Sequence, residues 1–143
     1  MIYLDNAATT SVRREAYEKM LPYFIDYYEN PSGAYESAVN VHNAMEESRE
    51  NIASLIGATK DEIVFTSGGT EADNYAIKGC AFMYKDKGRH IITTKIEHHA
   101  MLHSCEFLEK SGFEVTYLGI DETGRINIDE LVLDNVPSQD YYL

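Results

Sequence analysis

Apolar positions recur along this chain with two different periods. Between residues 11 and 28, Val12, Ala16, Met20, Leu21 and Phe24 return at helical spacing behind Ser11, a residue suited to cap a helix. The spacing predicts one helix that stops near Tyr28, ahead of the turn sequence Asn30-Pro31-Ser32-Gly33. A longer periodic stretch follows. Val41, Ala44, Met45, Ser48, Ile52, Leu55 and Ile56 share one helical face, and Glu46, Glu47, Arg49 and Glu50 share the other. Gly57 stands where a left-handed residue ends such a helix.

The period then shortens. Glu62-Ile63-Val64-Phe65-Thr66 is a compact β-branched and aromatic run bounded by Ser67-Gly68-Gly69, and it predicts a buried strand. A helix from about Thr70 to Tyr84 is expected next, with Ala72, Tyr75, Ala76, Cys80 and Met83 on its apolar face. A second strand, His90–Thr94, precedes a helix from His99 to Lys110 that Gly112 stops, and a third strand spans Glu114–Leu118. Strands alternating with helices through short links indicate an α/β fold with a mostly parallel sheet and crossover helices. Met1–Leu4 reads as a short extended piece, Asp5–Thr10 as a polar loop, and the two N-terminal helices as an arm beside the sheet.

Composition narrows the function classes. The 143 residues carry 24 acids against 12 bases, a net charge of −12. Such a surface repels phosphate backbones and anionic lipid, which argues against nucleic acid and membrane as partners. No apolar run approaches the ~20 residues of a membrane span, and the start lacks the layout of a signal peptide. A soluble, cytoplasmic protein is expected. Two cysteines, Cys80 and Cys105, make no disulfide framework and read as small buried hydrophobes.

Two segments hold candidate chemistry. In Phe65-Thr66-Ser67-Gly68-Gly69-Thr70-Glu71 the chain passes through a glycine turn straight into a helix, whose first N–H groups, dipole and neighbouring hydroxyl suit a phosphate or carboxylate. The segment has neither the Gly-Lys-Ser/Thr of a Walker loop nor the third glycine of a dinucleotide fingerprint. The alternative is a tight structural turn capped by Thr70. The second segment is Glu97-His98-His99-Ala100, with His103 one turn further on. An imidazole at a helix start can stack on an aromatic ligand or shuttle protons. The alternatives are solvent-facing histidines at a helix start, or a metal on His99 and His103. No Cys-x-x-Cys or His-Glu-x-x-His accompanies the pair, so no metal is expected.

The motifs in their order resemble the N-terminal part of the NifS- and IscS-type cysteine desulfurases, pyridoxal-phosphate enzymes of the class V aminotransferase family. The resemblance rests on Tyr3–Thr10, Asn30-Pro31-Ser32, Phe65–Glu71, Ile96-Glu97-His98 and Gly112–Leu118. It covers roughly residues 1 to 131. It implies the fold type I large domain in part, with Gly69 and Thr70 holding the cofactor phosphate and His98 stacking on the pyridine ring and aiding proton transfer. The family usually has Ala at the place of Gly69 and Pro at that of His99. The first difference is expected to loosen the turn slightly, and the second leaves His98 in place.

The resemblance further implies conversion of L-cysteine to L-alanine, with the sulfur passed to an enzyme persulfide, a sulfur-acceptor protein downstream, and a homodimer. The organisation expected is an N-terminal loop and helical arm over 1–57, a partial cofactor-binding α/β domain over 58–131, and a divergent acidic tail over 132–143. None of Lys78, Lys85, Lys87, Lys95 or Lys110 has the family's Ser-x-His-Lys setting, and neither cysteine matches the sulfur-accepting one. The chain alone is therefore expected to be inactive, since covalent chemistry with this cofactor needs that lysine. Alternatives are another class V enzyme, such as a selenocysteine lyase or aminotransferase, and a non-catalytic truncated remnant or binding module.

Overall fold

Proline and glycine decide where the N-terminal helices stop. In the computed structural model, which describes residues 2–126, the chain divides into two compact units, Met1–Val64 and Phe65–Leu143. In the first, helix α1 (Arg14–Met20) and helix α2 (Pro22–Ile25) replace the single helix expected between Ser11 and Tyr28. The break falls at Leu21 because Pro22 has no N–H to bond the preceding turn and instead starts a helix of its own. Arg13, not Ser11, takes the N-cap position, and it makes no side-chain cap.

Helix α3 (Glu36–Ile56) starts earlier than its apolar spacing implies and ends as predicted on Gly57, whose φ of 70° is left-handed. Only Ala38 and Ala53 are buried in it. Leu55, on the face predicted to be apolar and inward, is 85% exposed. Half-buried Arg49 donates from Nη1 to the Ile63 carbonyl at 2.6 Å and from Nε to Glu46 Oε1 at 3.1 Å, so α3 holds the segment that leaves the unit. Between them lies a one-turn 3₁₀ helix, Lys60–Glu62, closed by a capping box in which Thr59 N and Oγ1 both donate to Glu62 Oε2, at 2.8 and 2.9 Å.

The strand predicted over 62–66 does not form. Glu62 belongs to the 3₁₀ turn, and residues 63–66 join no sheet among the described residues. A strand exists through hydrogen bonds to a neighbour, so β-branched composition without one leaves only an irregular segment, with Phe65 46% exposed.

In the second unit, helix α4 (Gly69–Tyr84), strand β1 (His90–Thr94), helix α5 (His99–Lys110) and strand β2 (Glu114–Leu118) match the predicted boundaries within a residue. The strands pair in parallel from His90 with Glu114 to Thr94 with Leu118, and α5 is the crossover between them. This is the parallel α/β architecture expected, with two of the three predicted strands. Ile77, Ala81, Ile91, Cys105, Leu108 and Phe113 form the core, and Phe82 meets Phe113 and Phe107 edge-on at 5.7 and 6.5 Å.

Helix α4 turns a different face inward from the one predicted. Ile77 and Ala81 are buried, whereas Tyr75 and Met83 are exposed. Apolar residues cover most of its circumference, so periodicity identifies a helix without choosing its face, and packing against α5 makes the choice. Cys105 is buried as expected, and burial pushes its thiol up from the ordinary value; Cys80 is only half-buried. Among the described residues no helix is long and apolar enough to cross a membrane. The last residues of the domain expected over 58–131, from 127 on, and the acidic tail expected over 132–143 lie outside the described residues.

Candidate functional site

The two helices of the second unit carry the candidate residues at their first turns. Helix α4 has Gly68 as its N-cap, with extended backbone and no side chain to bond the helix. The backbone bond from Ala72 N to the Gly68 carbonyl spans 3.1 Å, which leaves the N–H groups of Gly69, Thr70 and Glu71 without an acceptor inside the helix. A Cβ built on Gly68 or Gly69 would meet nothing within 4 Å, and residues 68–71 are all exposed. Thr70 is exposed and is the second helical residue, so it does not cap the turn.

The flank of this turn is held from its own chain. Glu71 Oε2 accepts from Ser67 N at 2.5 Å, and the Ser67 amide and hydroxyl keep the Glu71 carboxyl below the ordinary glutamate value. The Thr66 hydroxyl donates to the Gly68 carbonyl at 3.2 Å. Further along, Asn74 Nδ2 donates to the Thr70 carbonyl at 2.8 Å and Lys78 Nζ donates to Asn74 Oδ1 at 2.5 Å. Neither Glu71 nor Asn74 stands out in the sequence as a bonded group. The signal for Glu71 is its place three residues after the cap, the position of the acid in a capping box.

Helix α5 begins otherwise. His98 is its N-cap, with φ −60° and ψ 147°, and its own Nδ1 accepts from Ala100 N at 3.2 Å. With Nδ1 engaged as an acceptor, the neutral ring carries its proton on Nε2, and the side chain remains exposed. The loop before it is tied down by Lys95 N donating to the Leu118 carbonyl at 3.2 Å and by the Thr94 hydroxyl donating to Glu97 Oε1 at 3.3 Å. His99 follows with its ring 6.2 Å from that of His98 and 5.8 Å from that of His103. Among the described residues, no three His, Cys, Asp or Glu side chains are grouped so that they could hold a metal ion.

Gly69 and Thr70 thus share one turn, and His98 opens the helix packed beside it. Free N–H groups, the positive end of the helix dipole, a hydroxyl and open space fit a phosphate group. The exposed imidazole, with a proton on one nitrogen, fits a flat ligand or a proton relay.

The sequence profile of the family described as aminotransferase class-V matches residues 2–139. A cysteine desulfurase IscS of Methanosarcina thermophila is 54% identical over 130 residues, which is 91% of this chain and 32% of that protein. Among solved structures, a NifS-like protein superposes with a TM-score of 0.84 at 36% identity, over 92% of this chain and 36% of the other. A structure described as SspA in complex with cysteine gives a TM-score of 0.82 at 43% identity, over 90% of this chain and 37% of the other. The chain spans about a third of the length of the curated relatives it matches.

Proposed function

The chain belongs to the aminotransferase class-V family, and from that premise we propose that it is the front portion of a pyridoxal-phosphate-dependent cysteine desulfurase. The observation that carries the reading is the exposed first turn of α4, where the two residues assigned to the phosphate by resemblance have N–H groups with no acceptor inside the helix. In this reading Gly69 and Thr70 bind the phosphate through backbone N–H groups and the Thr70 hydroxyl. His98 lies against the pyridine ring, and its Nε2 gives or takes a proton while Ala100 N–H keeps the ring oriented. Pyridoxal phosphate, once bound, supplies the electron sink for breaking bonds at an amino acid.

L-Cysteine is the proposed substrate, supported by relatives named cysteine desulfurase and by a similar structure described in complex with cysteine. The whole enzyme yields L-alanine and a persulfide whose sulfur passes to an acceptor protein. It works as a homodimer in the cytoplasm. Exposed apolar side chains such as Leu4, Leu55 and Met83 are consistent with surface to be covered by further protein.

The chain supplies binding and orientation, and the lysine that bonds the cofactor comes from elsewhere. Incubated with pyridoxal phosphate and L-cysteine, the 143-residue chain is expected to form no alanine; alanine formation would overturn the lysine assignment. Joined to a segment carrying the Ser-x-His-Lys lysine and the accepting cysteine, it is expected to form one alanine for each persulfide sulfur. Turnover of other amino acids without alanine from cysteine would move the reading to another class V enzyme.

A further inference from the structure

The acid in the first turn of α4 has a geometry that phosphate binding alone does not require. At the 3₁₀ turn Lys60–Glu62 the chain builds a capping box, with an acid three residues after a cap residue that has a hydroxyl of its own. At α4 the acid is present but bonds one residue further back. Glu71 occupies the same position and reaches back to Ser67 N at 2.5 Å, but the cap residue is Gly68, which has nothing to return to the helix. The flank is closed while the N–H groups of the first turn stay free.

We propose that Glu71 is a positioning residue for the anion cradle: it holds residues 67–70 so that the Gly69 and Thr70 N–H groups face outward before a ligand arrives. The role rests on the reading of this turn as the phosphate site. Two consecutive glycines give the chain more freedom than any other pair, and that freedom is lost on binding unless it is removed beforehand. The helix that begins at Gly69 removes part of it, but side-chain packing removes none, because outside the neighbouring residues nothing lies within 4 Å of a Cβ on either glycine. The hydrogen bonds that bridge the turn run from the Ser67 amide and hydroxyl to Glu71 and from the Thr66 hydroxyl to the Gly68 carbonyl. The carboxylate is a like charge near a phosphate and opposes its binding, but it is turned back onto Ser67, whose N–H it accepts from, and so it does not occupy the Gly69 and Thr70 N–H groups.

The test compares Glu71→Gln with Glu71→Ala in the full chain, with inorganic phosphate as the probe and the Gly69 and Thr70 amide resonances as the readout. Exchange of the Ser67 amide proton is followed alongside. Gln keeps an acceptor oxygen, so Ser67 protection persists and phosphate binds within about twofold of wild type or tighter. Ala removes the acceptor, so Ser67 exchanges faster and phosphate affinity falls about tenfold, with the far-UV circular dichroism unchanged. Phosphate binding to the Ala variant at wild-type strength or better would overturn the proposal, since Glu71 would then act only through its charge. Equal losses in the Gln and Ala variants would overturn it as well. If wild-type Gly69 and Thr70 do not respond to phosphate while Ser67 is still protected through Glu71, the phosphate reading itself fails and takes the positioning role with it.

Discussion

Helix α5 carries its own acceptor at its start, and helix α4 does not. In α5 the His98 imidazole accepts from Ala100 N, so one of the first-turn N–H groups is satisfied from within and the second ring nitrogen remains for other work. In α4 the cap is Gly68, and the bond that could have closed the turn is made one residue earlier, between Glu71 and Ser67. In the proposed function the two starts divide the work between them: backbone donors with no acceptor in the helix for an anion at one, a held aromatic ring for a flat group at the other. A helix start becomes a binding site when the acceptor it lacks is left for a ligand to supply.

The contrast is broken most severely by giving α4 what α5 has. Gly68→Asp introduces a cap acceptor and a charge at the mouth of the turn, where there is room for a side chain. Phosphate or pyridoxal phosphate affinity, measured by titration calorimetry, is expected to fall about a hundredfold, because charge-assisted bonds to the N–H groups are lost and a like charge is added.

The converse change removes the acceptor from α5. His98→Ala is expected to lower stability by about 1 kcal/mol in urea denaturation, with His98→Asn recovering most of it, since asparagine is a strong cap. In the complete enzyme the same Ala variant is expected to weaken cofactor binding and slow turnover.

Gly69→Ala is expected to sharpen the contrast. The position is helical, its φ is not left-handed, and nothing would touch the new methyl group. Thermal denaturation should show a gain of about 0.5–1 kcal/mol with phosphate affinity retained. A loss of affinity would mean that the backbone at residue 69 approaches the ligand more closely than a Cβ allows.

The smallest effect is on pH dependence. Glu71 is held below the ordinary glutamate value by Ser67, so its contribution is present above that value and is lost as pH falls through its lowered one. The Ser67 amide resonance is expected to move in that acid window in wild type and not in Glu71→Gln.

How much of this was legible in the sequence differs between the same regions. β1, α5 and β2 follow from the sequence almost to the residue, because the two strands pair with each other and Gly112 ends the helix cleanly at φ 88°. Residues 62–66 have strand composition but no partner strand among the described residues, and composition cannot supply one. The break at Pro22 was present in the sequence and was outweighed by the apolar spacing around it. At the site, Gly-Gly-Thr ahead of a periodic stretch pointed to an open helix start. The self-capping of His98 was not legible, since histidine is not among the usual cap residues. The Glu71 to Ser67 bond was not legible either, because it depends on a turn conformation that the spacing does not specify.

The proposed function requires the first turn of α4 to be an anion cradle. An amide-resolved NMR titration of the chain with pyridoxal phosphate, against pyridoxal lacking the phosphate, tests it most directly. Saturable shifts of the Gly69 and Thr70 amides are expected with pyridoxal phosphate, none of comparable size with pyridoxal, and their loss is expected in Gly68→Asp. Equal responses to the two ligands, or shifts confined to lysines away from α4, would contradict it.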